Sequence, residues 1–290
     1  MATPETWETY ISANGSTAET WDAIAPKMGI MALVRNLRNF QEKGAEKAFA
    51  IAVEAMRNPQ IVRESRMLPF RWLSAYREVS GAYVLDALCD AMDLSVKVIP
   101  KISGSVAIFG DNSGSMEHEI SPRSKVCYMD IAGMMAAICL HQCTGEVYSG
   151  VFGQQFKFVG LSRKSSILAN AMTMRHTNVG HATYAHLALE WLIASVKKVD
   201  KVFIFSDEQT YTSDTGYYHQ SVPVSQLWEE YRKQCPKAIL YAINLSGYGT
   251  SSFDPGQTGV VQIAGWSEKI FEMVEAIDKR NVAVQEIAAI

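Results

Sequence analysis

Residues 105–116 read SVAIFGDNSGSM. A short apolar run, 105–109, breaks at Gly110 into a turn that alternates acid, hydroxyl and glycine, as a buried strand does where it surfaces at a sheet edge. The same grammar returns at 201–207, KVFIFSD, where an apolar run ends in Ser206-Asp207. Between and after these runs the pattern alternates strand with helix. A helix is expected over 126–141, then a hairpin of 146–152 with 155–161 turning near Gly153. Helices follow over 166–172, 184–196 and 226–234, strands over 238–245 and 260–263, and a closing helix over 268–277. Strands separated by helices imply an α/β fold with a doubly wound, Rossmann-like, mostly parallel sheet. Ligands on such sheets sit at the carboxyl ends of the strands.

That rule singles out five residues. Asp111, Ser113 and Ser115 form an Asp-x-Ser-x-Ser turn after the first strand, and Asp207 ends the strand at 201–205. Thr183, in Gly180-His181-Ala182-Thr183, precedes a helix. Hydroxyls and carboxylates are hard oxygen donors that suit Mg²⁺ or Mn²⁺, with water completing the shell. The alternate spacing lets Ser113 and Ser115 face inward while Asn112 and Gly114 face away. A Ser/Gly turn after a strand is common by itself; the threonine and the second acid, in this order, are what point to a cation. No Gly-Lys-Ser/Thr follows the glycines, so a P-loop is not indicated, and the Gly-x-Gly-x-x-Gly of dinucleotide sites is absent.

Other signals are weaker. Cys139 and Cys143 share a helical face, but His141 points elsewhere and no second ligand pair appears, so packing cysteines are expected rather than zinc. His176, His181 and His186 recur at five residues, which does not align on a helix. Glu208 and Thr210 flank Asp207 either as supporting groups or as ordinary loop polarity. The polar stretch 211–220, rich in Tyr, Thr and Ser, is placed to shape partner choice. No serine–histidine–acid or cysteine–histidine arrangement emerges, and binding rather than catalysis is expected.

The 290 residues have room for about two domains, and 48% of them are apolar, enough for a sizeable core. Lys and Arg number 27 against 30 Asp and Glu, a net charge of −3 without the basic excess of a protein that wraps nucleic acid. The five cysteines show no disulfide framework and read as reduced thiols, so a cytoplasmic location is expected. The first ten residues lack the apolar stretch of a signal peptide. The longest apolar run, 131–140, is shorter than the ~20 residues that cross a bilayer.

Upstream of about residue 100 the texture is helical. Ser16-Thr17-Ala18-Glu19 fits a capping box with Ser16 as N-cap. Pro26 suits the first turn of a helix carrying Met28, Met31, Val34 and Leu37. Gly44 precedes a helix over 45–56, Asn58-Pro59 opens another, Pro69 a third, and a last one spans about 83–95. Short helices with tight turns suggest stacked antiparallel hairpins, an all-α, HEAT-like region over 1–100 preceding an α/β domain over 101–290.

The strand, Asp-x-Ser-x-Ser, threonine segment and strand–Asp together resemble a von Willebrand factor A (vWA) domain with its metal-ion-dependent adhesion site, over about 103–280. The resemblance implies that Ser113 and Ser115 coordinate the cation directly and Thr183 directly or through water. Asp111 and Asp207 would act mainly through water or hydrogen bonds, and the open position would take an acidic group from a protein partner. Trp21, Met28–Phe40 (MGIMALVRNLRNF), Leu68-Pro69-Phe70-Arg71-Trp72 and Ser74-Ala75-Tyr76 resemble the Ro ribonucleoprotein family and its TROVE module, as does Gly265-Trp266-Ser267-Glu268-Lys269-Ile270. This implies association with small non-coding (Y-like) RNA, with Arg35, Arg38, Arg71 and Arg77 as phosphate contacts; solvated helix faces and helix–helix ion pairs are their other uses. The helical region is shorter than the ring of repeats the family uses, and His181 stands where the family has Gly. Metal-dependent protein binding or self-assembly without RNA is the competing expectation.

Overall fold

The computed structural model describes residues 6–122, 124–195, 197–208, 223–247, 251–254, 256–267 and 269–288, the side chains of the last segment as far as 280. They fall into two compact units, Met1–Val98 and Ile99–Ile290.

The first unit is helical: α1 (Trp7–Asn14), α2 (Ala18–Ile24), α3 (Ile30–Arg35), α4 (Leu37–Lys43), α5 (Glu46–Arg57), α6 (Pro59–Ser65), α7 (Pro69–Tyr76) and α8 (Ala82–Ser95). Its core gathers Trp21, Phe40, Met56, Trp72, Leu73, Leu88 and Met92, all buried, with α8 packed against α5, α6 and α7. Asn58 caps α6 as expected, accepting from Gln60 N at 3.0 Å. Gly44 ends α4 with φ +69°, a backbone that glycine adopts without penalty.

Three local expectations are corrected. Thr17, not Ser16, caps α2, accepting from Thr20 N at 3.3 Å; Ser16 Oγ instead takes the Trp21 indole N–H at 2.9 Å. Pro26 lies in a short 3₁₀ turn, and the next helix starts after Gly29. That helix breaks at Asn36, whose side chain donates back to Ala32 O at 2.9 Å and competes with the backbone ladder. Of its expected apolar stripe, Val34 and Leu37 are buried, but Met31 is 48% exposed.

The second unit runs β1 (Val106–Asp111), α9 (Tyr128–Gln142), β2 (Val147–Phe152), β3 (Phe156–Phe158), α10 (Ile167–Arg175), α11 (His186–Ala194), β4 (Lys201–Ser206), α12 (Val224–Gln234), β5 (Ile239–Asn244), β6 (Val260–Ala264) and α13 (Lys269–Ala288). The sheet order is β3-β2-β1-β4-β5-β6. All neighbours are parallel except the β2–β3 hairpin. The closing helix runs on to Ala288, beyond the expected end at 277.

β1 and β4 are buried along their whole lengths, which is why they read as unbroken apolar runs. Ala107, Phe109, Val202 and Ile204 face a core with Leu189 and Leu192 of α11 and Trp228 and Tyr231 of α12. α9 also packs on β1 and β4. α10 lies close against α9 because residue 133 is glycine: a Cβ there would come within 2.7 Å of Ala171 O. The chain leaves β1 toward β2 and later returns to β4 on β1's other side, so the carboxyl ends of β1 and β4 flank a topological switch point.

Candidate metal centre

Register sets the site. Gly110 of β1 pairs with Phe205 of β4, so Asp111 and Ser206 leave the sheet side by side. Asp111 is fully buried and accepts hydrogen bonds on both oxygens, from Ser113 N to Oδ1 at 2.8 Å and from Ser206 Oγ to Oδ2 at 2.6 Å. The Ser113 and Ser115 hydroxyls stand 3.3 Å apart. Ser113 is buried and Ser115 half-buried, so the pair opens outward on the Ser115 side. Asp207 is buried as well, and its charge acts on Asp111.

Burial pushes the Asp111 carboxyl up to about 6; hydrogen bonds from Ser113 and Ser206 oppose that rise, and Asp207 adds to it. Two buried acids in mutual repulsion, beside two hydroxyls, form a donor set that a cation would relieve. The residues present fit a hard divalent ion.

Thr183 is buried on the segment between α10 and α11. Gly114 N donates to His181 O at 3.0 Å, fastening that segment to the Asp-x-Ser-x-Ser turn. Gln155 N to Val179 O at 3.0 Å and Tyr184 N to Gly153 O at 3.1 Å hold it from the hairpin side. The turn, the threonine segment and the end of β4 thus meet at one sheet edge. α11 itself begins at His186, later than expected from sequence, leaving Thr183 in the preceding loop.

Two residues in this neighbourhood were not singled out as site residues from the sequence. Ser206 joins Asp111 to the next strand end, since its hydroxyl also accepts from Glu208 N at 2.9 Å. Its signal was a hydroxyl directly before an acid at a strand end. Asn112 faces away from the serines, as the alternation implies, and its amide is spent on Met174 O in the last turn of α10 and Thr177 O just beyond it. Glu208 has φ +55°, an unusual left-handed backbone for a side-chain-bearing residue. Burial pushes its carboxyl up to about 7, against a hydrogen bond involving Asn244. Thr210 and the stretch 211–220 lie outside the described residues.

The remaining candidates separate. Cys139 and Cys143 are buried, and the Cys143 thiol donates to Gly104 O at 3.1 Å. Among the described residues no three of His, Cys, Asp and Glu gather as a metal-holding group. His181 is exposed beside Gly114, while half-burial lowers the His186 imidazole from its ordinary value. In the helical unit, Arg38 Nη1 pairs with the Glu78 carboxylate at 3.1 Å, and Arg77, the residue before Glu78, is half-buried just after α7. Arg35 and Arg71 are exposed on α3 and α7. Trp72 is buried, its indole N–H on Met67 O at 3.3 Å, so it packs rather than presents a stacking face.

Comparison with known proteins covers both units. The TROVE domain family model matches residues 1–139, and the Ro60 vWA domain model matches residues 105–277. The crystal structure of the Deinococcus radiodurans Ro (RSR) protein superposes with a TM-score of 0.69 at 19% identity, covering 89% of this chain and 54% of that one. At that identity the likeness speaks to the fold alone. Telomerase protein component 1 of Mus musculus is 32% identical over 79 residues, 26% of this chain and 3% of its own length. The Rattus norvegicus protein of the same name is 33% identical over 76 residues. The chain thus spans about half of the Deinococcus protein and a small fraction of the telomerase components.

Proposed function

The chain belongs to the Ro60 vWA domain family and carries a TROVE match beside it, and from that premise we propose an RNA-associated binding protein whose vWA unit captures an acidic group of a protein partner through Mg²⁺ or Mn²⁺. Family membership supports the RNA part, with small structured non-coding RNA as the ligand class. The observation that carries the metal part is the fully buried Asp111 carboxyl, held by Ser113 N and Ser206 Oγ beside two hydroxyls 3.3 Å apart. Ser113, Ser115 and Thr183 would hold the ion through hydroxyl oxygens, with Asp111 and Asp207 supporting them through hydrogen bonds or water. When bound, the ion supplies an open position for a carboxylate. The protein's part is to keep both acids dry and aligned. This chemistry is capture, not turnover.

A second reading, metal-dependent protein binding or self-assembly without RNA, is favoured by the engagement of Arg38 with Glu42 and Glu78 and by the net charge of −3. The described cysteines are free thiols, which suits a reducing, cytoplasmic setting. No described helix is long and apolar enough to cross a membrane.

One experiment separates the readings. Purified protein is titrated with Mn²⁺ by electron paramagnetic resonance, and with a small structured RNA by filter binding across a salt series with and without chelator. The first reading expects Mn²⁺ uptake that Asp111→Ala abolishes, and RNA affinity that falls steeply with salt but survives chelation. RNA binding no better than that of a neutral control protein removes the RNA part. Absence of Mn²⁺ uptake removes the metal centre. A chelator-sensitive change of molecular mass in light scattering selects self-assembly.

A further inference from the structure

We infer that Asn112 is the positioning residue that ties the Asp-x-Ser-x-Ser turn to the Thr183 segment, by seating its side-chain amide on the carbonyls that end α10; the inference rests on the metal-centre reading above. Asn112 is 8% exposed, and its Nδ2 donates to Met174 O at 2.7 Å and Thr177 O at 3.0 Å, with Arg175 O at 3.3 Å. An amide has two hydrogens, so the third contact is shared. Met174 and Arg175 lie in the last turn of α10, whose carbonyls carry the negative end of its dipole, and Thr177 follows just beyond; Met174 O also accepts from Thr177 N at 3.1 Å. Their capture satisfies donor and acceptors together in a buried place.

The tie matters because of what lies at each end. On one side, Asn112 sits between Asp111 and Ser113, and its own N–H donates to Phe152 O at 2.8 Å. On the other, Thr177 begins the segment that leads to Thr183. That segment meets the turn again where Gly114 N donates to His181 O. The two loops are therefore joined twice, and the side-chain join is the one a substitution can remove.

α10 is a firm anchor for this purpose. It lies against α9 at Gly133, and Arg175 Nε stands 2.6 Å from Oδ1 of the fully buried Asp130 at the start of α9. That contact pairs charges without an aligned N–H hydrogen bond. Asp130 Oδ2 accepts from Cys127 N at 3.0 Å, closing the chain of contacts to the segment that follows the turn. Asn112 thus fixes how far the serine hydroxyls stand from the threonine, without contacting the ion itself.

The test compares Asn112→Ala, and Asn112→Ser should the first not fold, with Arg163→Ala, a destabilising control in the loop before α10 whose guanidinium donates to Leu140 O at 3.2 Å and Cys143 O at 3.0 Å at the end of α9. Amide exchange at residues 113–116 and 177–183 is measured in metal-free protein, and Mn²⁺ affinity by paramagnetic resonance. We expect exchange in both segments at least ~10-fold faster than in the control, and Mn²⁺ affinity about 10-fold weaker than wild type. Exchange no faster than in the control overturns the tie, whatever Mn²⁺ does. Faster exchange in a protein whose wild type takes up no Mn²⁺ upholds the tie and overturns the metal centre instead.

Discussion

Ser206 Oγ donates to Asp111 Oδ2 at 2.6 Å, joining the ends of two adjacent parallel strands across 95 residues of sequence. The bond is buried and charge-assisted, and it leaves the other carboxylate oxygen to Ser113 N. Asp111 is oriented by its neighbours before any ligand arrives. Ser206→Ala leaves one oxygen of a buried carboxylate without its donor, at a cost of about 1–3 kcal/mol. Thermal melts of the metal-free protein should show the loss, and Ser206→Thr should recover most of it. Equal stability of the alanine variant and wild type would show that water replaces the hydroxyl.

Chelation should lower the melting temperature of wild type and leave Asp111→Ala unmoved. An ion at 100 times its dissociation constant stabilises the folded state by about 2.7 kcal/mol. Differential scanning calorimetry with and without Mn²⁺ reads this directly. A wild-type melt insensitive to both Mn²⁺ and Mg²⁺ would count against the site.

Glu208 carries two costs that separate by substitution. Its φ of +55° strains the backbone, so Glu208→Gly should gain about 1 kcal/mol from relief of that strain. Its carboxyl is raised from 4.5 to about 7, so the folded state holds a proton that the unfolded state has released. Stability therefore falls as pH rises from the unfolded value through about 7. Glu208→Gln has no such proton, and its advantage over wild type in melts of metal-free protein should grow between pH 4.5 and 7.5. A constant gap across that range would refute the burial argument.

Arg163 ends α9 from outside. Its guanidinium donates to Leu140 O at 3.2 Å, Cys143 O at 3.0 Å and Gly145 O at 2.6 Å. Arg163→Ala should cost about 1–3 kcal/mol, a fall of roughly 2–12 °C in melting temperature for a unit of this size. Lysine, a single point donor, should restore only part of it. Full recovery by lysine would mean that charge at the helix end matters more than the fork of donors.

The strand ends were legible because burial on both faces leaves an uninterrupted apolar run, and the polar residue that stops it marks the sheet edge. Asp111 and Asp207 are both such residues. Ser206 sits at the same boundary, but its role depends on the register between β1 and β4, which no local pattern contains. The helical unit shows the same limit. Ser16 and Thr17 are equivalent N-caps by composition, and the Trp21 indole decides between them by claiming Ser16. The first turn of α5 has no cap of its own; Asp22, 26 residues earlier, accepts from Ala48 N at 2.8 Å. Partners that distant are set by packing, while periodicity and capping chemistry are local.

The 95-residue reach between Asp111 and Ser206 also has a kinetic meaning. Loop-closure entropy must be met before β1 and β4 can pair, so the completed oxygen cluster belongs to the late part of folding. An unfolded chain offers an ion only the short-range turn of Asp111, Ser113 and Ser115. Divalent ions should therefore slow the unfolding limb of a chevron while leaving the refolding limb almost unchanged. The protein would then lose its native state more slowly when loaded, without acquiring it any faster.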